Sequence, residues 1–72
     1  MTNVSIINQK GQLRATVVYN NNYYVVSHSK RKNETLILPS NSSGEIKDYI
    51  EVGGGTSVSL REVLEDFSSF LH

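Results

Sequence analysis

Seventy-two residues, 38% of them apolar and none of them cysteine, describe one small domain, 1–72, with a thin core and no disulfide staple or thiolate zinc site. A chain this short buries only about 60% of the surface its unfolded form exposes. The formal net charge of zero hides a division: residues 1–33 hold Lys10, Arg14, Lys30, Arg31 and Lys32 and no carboxylate, while all seven carboxylates follow, against only Lys47 and Arg61. That asymmetry points to surfaces that meet partners rather than to chemistry.

Val4 and Ile6 alternate with polar neighbours and open a first strand. Gln9-Lys10-Gly11-Gln12 supplies a turn, with Gly11 free to take positive φ. Leu13, Ala15, Val17 and Tyr19 then alternate with Arg14, Thr16 and Val18, the pattern of a half-buried strand with Arg14 on its wet face. Asn20-Asn21-Asn22 makes a second turn, because Asn tolerates the left-handed region. Tyr23 to Ser27 is β-branched and aromatic, a third strand. Lys30-Arg31-Lys32-Asn33 turns the chain again, and Thr35 to Leu38 forms a fourth strand ended by Pro39.

Ser40 to Gly44 is a polar loop. Ile46 to Val52 fits either a strand or a helical turn followed by an extended piece; the favoured reading is a strand over Asp48 to Val52. Gly53-Gly54-Gly55 then releases the chain as a connector. Ser59 and Glu62 have the spacing of a capping box, and Val58 and Val63 that of a hydrophobic staple. Leu60, Val63, Leu64, Phe67, Phe70 and Leu71 follow as one apolar helical stripe. Glu62, Glu65, Asp66 and Ser69 occupy the opposite face. The expected fold is therefore α+β: an antiparallel β-meander of four to five strands with one C-terminal α-helix packed on one face.

Alternate turns of a meander share one end of the sheet. The expected result is a basic rim of Lys10, Arg14, Lys30, Arg31 and Lys32, joined by the helix N-terminus if a fifth strand returns there. Such a rim suits an acidic protein surface or nucleic acid, although a charged hairpin turn also serves solubility alone. Tyr19, Tyr23 and Tyr24 suggest a stacking platform, but Tyr19 and Tyr23 flank the Asn turn at the opposite end, where core packing is the plainer role. Glu62, Glu65 and Asp66 form an acidic helix face suited to a basic partner, or simply to solvent. The sheet face away from the helix, carrying Val18 and either Val26 or Ile37, is apolar enough to attract a partner or a second copy of the chain.

Catalytic parts are missing. In Ser27-His28-Ser29 both serines point to the face opposite His28, so neither is placed for activation. Two histidines, one of them His72, do not make a zinc site, and Gly53-Gly54-Gly55-Thr56-Ser57 lacks the lysine and spacing of a phosphate loop. No metal or cofactor is implied. Met1-Thr2-Asn3 lacks the basic and apolar regions of a signal peptide, and no apolar run reaches the ~20 residues of a membrane span. The expectation is a cytoplasmic, non-enzymatic protein-interaction module, an inhibitor or adaptor with the general look of a phage or mobile-element accessory protein. A homodimer is a candidate state, and nucleic-acid binding through the basic rim is the alternative.

Overall fold

The computed structural model describes residues 5–9 and 12–72, with side chains from residue 13 onward. Five strands, β1 (Ser5–Gln9), β2 (Gln12–Tyr19), β3 (Asn22–Ser29), β4 (Glu34–Ser40) and β5 (Gly53–Thr56), form one antiparallel sheet in sequential order. Two short helices follow, α1 (Leu60–Glu65) and α2 (Phe67–Phe70). The α+β meander expected from the sequence is present, with a different fifth strand and a divided helix.

The turns show why the strands fall where they do. Asn20 and Asn21 both take positive φ, 49° and 63°, and connect Tyr19 directly to its partner Asn22. That is the two-residue turn whose twist matches a β-hairpin. At the other end, Lys30–Asn33 joins Ser29 to its partner Glu34, with Asn33 at φ 48°. Pro39, expected to end the fourth strand, lies inside it. The carbonyl of Pro39 points away from β3, toward Lys47. The nitrogen of a strand residue points the same way as its carbonyl, so no hydrogen bond to β3 is lost.

One face of the sheet carries the core. Ala15, Val26 and Ile37 stand side by side across β2, β3 and β4. They join Val17, Leu60, Val63 and Phe67 in one buried cluster. Phe67 packs between Tyr19 and Tyr24, ring centroids 5.4 and 5.3 Å apart at tilted angles. Val26 and Ile37 thus belong under the helices, not on the opposite face.

That opposite face is partly covered. Val25 and Leu38 are buried on it, under a segment organised by Asn41. The side-chain carbonyl of Asn41 accepts from the backbone N–H of Ser43 (2.9 Å) and Glu45 (3.0 Å), and its backbone N–H donates to Glu45 O. The chain thereby doubles back, Ser40 pairs with Ile46, and Gly44 approaches Thr16.

Gly53–Gly55, expected as a connector, is most of β5. A side chain at Gly53 would run into the Phe70 carbonyl, and Leu71 bridges back to Gly53. Gly54 has φ +115° and lies against the Thr35 carbonyl. Backbone packs on backbone at both places, and only glycine fits.

Ser59 caps α1, its Oγ accepting from the Glu62 N–H at 3.1 Å. The Glu62 carboxylate accepts from the Ser59 hydroxyl at 3.3 Å. The single helix expected is interrupted at Asp66 (φ −142°, ψ 56°). Aspartate is a poor interior helix residue, and the break lets Phe67 enter the Tyr19–Tyr24 slot while Leu71 returns to β5. Among the described residues, no helix is long and apolar enough to cross a membrane.

Candidate interaction surface

Asp48 to Val52, expected as a strand, is not one. Ile46 faces Ser40, so an uninterrupted ladder would set residue 49 against Ile37; Gly53 faces Ile37 instead. Four residues (53 − 49) therefore leave the ladder: Asp48, Tyr49, Ile50 and Glu51. Both ends of the excursion are fixed to the same strand. Lys47 N–H donates to Pro39 O at 3.0 Å and Val52 N–H to Ile37 O at 2.7 Å.

The loop turns two large hydrophobic side chains outward. Tyr49 is 77% exposed and Ile50 67% exposed. Tyr23 is the other large hydrophobic residue exposed among those described. It sits across from Ser40, at the same end of the sheet as the Asn20–Asn21 turn. An open groove of about 660 Å³ lies at this end, lined by Tyr23, Tyr24, Pro39, Lys47, Val52 and Leu71 and, in equal number, by asparagine, serine and histidine residues. Lys47 and Val52 belong both to the groove wall and to the base of the loop. Glu45, Asp48 and Glu51 bring three carboxylates to this connection, against Lys47 alone.

The residues read from the sequence as charged surfaces distribute as follows. Lys10 lies outside the described residues. Lys30, Arg31 and Lys32 are exposed on the β3–β4 turn. Arg14 is exposed opposite Ser27, two positions in from the same end. The Ser57 N–H donates to the Asn33 carbonyl at 2.7 Å, which brings the start of α1 to that end as well. Glu62, Glu65 and Asp66 are exposed on the helices. Arg61 pairs with Glu65 at 3.0 Å, with both side chains well exposed, so the pair stabilises α1 by a few tenths of a kcal/mol.

The tyrosines are not beside the basic turn. Tyr19 and Tyr24 are committed to Phe67 at the opposite end of the sheet, and Tyr23 faces the groove there. His28 faces the core side and lies 2.8 Å, through Nδ1, from Thr35 Oγ1. Thr35 donates its one hydroxyl hydrogen to the Val58 carbonyl. Geometry therefore assigns the Nδ1 proton to His28. The pair ties β3, β4 and the approach to α1 together.

The loop was hidden in the sequence because Asp-Tyr-Ile-Glu-Val has ordinary strand composition. The available signal was Tyr49 next to Ile50: neighbours on a strand point to opposite faces, so one of two bulky residues must leave the core side. Comparison with protein-family models, with curated proteins and with solved structures gives no match to this chain.

Proposed function

We propose that this chain is a non-enzymatic protein-interaction module whose contact is centred on the Asp48–Glu51 loop. One observation carries the reading: Tyr49 and Ile50 stand exposed on a loop whose two ends are both hydrogen-bonded to β4. A loop held at both ends loses less freedom on binding than a free one, and that lowers the cost of association. Tyrosine is among the residues that most often anchor interfaces. The role expected from the sequence, an inhibitor or adaptor, is kept, but the contact moves from the charged faces to this loop. Nucleic-acid binding through Lys30, Arg31 and Lys32 has less support, because no aromatic platform accompanies the charge.

The test is site-specific photocrosslinking in cells that express the protein. A photoreactive residue at Ile50 is expected to give a discrete adduct with a protein. The same residue at Glu62 or Ser69, on the helices' outer side, is expected to give little. Adducts from the helix positions with none from position 50 would refute the reading.

A further inference from the structure

Building on that reading, we infer that the surface formed by the loop and the groove binds a second copy of this chain, each Tyr49–Ile50 pair entering the other's groove. A two-fold interface uses one patch twice, so the patch must contain both a projection and a matching recess. Here the two are adjacent. The loop projects from Lys47 and Val52, and those same residues wall a groove of about 660 Å³.

Chemistry matches across the two-fold arrangement. The groove offers the rings of Tyr23, Tyr24 and Pro39 with the side chains of Val52 and Leu71, beside the polar groups of asparagine and serine residues and His72. Such a mixed lining suits an Ile50 side chain next to a Tyr49 ring whose hydroxyl needs a hydrogen-bond partner. Its ammonium, Lys47, meets the carboxylates Asp48 and Glu51 that flank the projecting pair. The exposed large hydrophobics of the described residues, Tyr23, Tyr49 and Ile50, then contribute to one buried patch. The Lys30–Lys32 turns, at the far end of each sheet, stay outside the interface. Excess carboxylate near the contact and the small size of one sheet end set the strength. A small, weak interface is therefore expected, with Kd on the order of 10–100 μM.

Sedimentation equilibrium on the purified chain over ~5 μM to ~1 mM reads this directly, given that Kd range. The mass is expected to rise from 8.0 kDa toward twice that value. Ile50→Asp is expected to weaken association at least about tenfold. Its thermal midpoint at low concentration is expected to stay unchanged, because the residue is already exposed. Tyr49→Ala is expected to act in the same direction. Lys47→Glu is expected to weaken the dimer, and Lys30→Glu, at the other end, to leave it intact. A monomeric mass up to ~1 mM, or a dimer indifferent to Ile50→Asp, overturns the inference. A monomer that still crosslinks from position 50 to another protein overturns it while leaving the interaction-module reading in place.

Discussion

Replacing Thr35 with valine tests how the sheet holds its helices. Thr35 is fully buried, and its hydroxyl both donates to the Val58 carbonyl and receives the His28 Nδ1–H. Valine keeps the shape and removes the hydroxyl. Each lost hydrogen bond is worth about 1 kcal/mol net, and the Val58 carbonyl left without this partner costs about 1–3 kcal/mol. Burying a methyl in place of the hydroxyl offsets roughly 1 kcal/mol. The balance is a loss of about 2–4 kcal/mol, a fall in Tm of at least about 8 °C for a domain this size. Thr35→Ser is the control: it keeps both hydrogen bonds, drops one methyl and costs about 1 kcal/mol. Thermal unfolding followed by circular dichroism, with a urea titration, gives both values. A Thr35→Val protein that melts within about 2 °C of the wild type, or above Thr35→Ser, refutes the argument that this hydroxyl fastens the approach to α1.

Two further substitutions separate the roles of the connecting segments. Gly54→Ala forces a side chain against the Thr35 carbonyl at φ +115°, with an expected loss of about 2–4 kcal/mol and a lower urea midpoint. A midpoint equal to that of the wild type would show that β5 does not need the glycine. Asn41→Ala removes the acceptor of two backbone N–H groups, with an expected loss of about 1–2 kcal/mol and faster amide exchange at Ser43 and Glu45. Asn41→Asp keeps the acceptor oxygen and is expected to protect both amides; equal exchange in the two variants would exclude Asn41 as the organiser of this turn.

The turn read at Asn20–Asn22, of which Asn22 proves to be the first residue of β3, the Lys30–Asn33 turn, the alternation of β2 and the Ser59 cap were legible in the sequence because each depends on a few neighbouring residues. Asn carries its own tolerance of positive φ, period-two apolar residues define a sheet face, and a serine hydroxyl three residues before a free N–H can cap it. The charge division was equally legible, and the antiparallel meander converts it into position along the sheet for Lys30, Arg31 and Lys32.

Tertiary structure decided the rest. Asp48 to Val52 has the better strand composition, yet Gly53 to Thr56 takes the place beside β4. Beside Thr35, Ile37 and the returning Phe70–Leu71 backbone, a chain without side chains packs closest. That competition puts Tyr49 and Ile50 outside the ladder and creates the candidate interaction surface. It also divides the helix at Asp66, because Phe67 must reach Tyr19 and Tyr24 while Leu71 must reach Gly53. Propensity is a property of a segment, whereas register depends on what lies across from it.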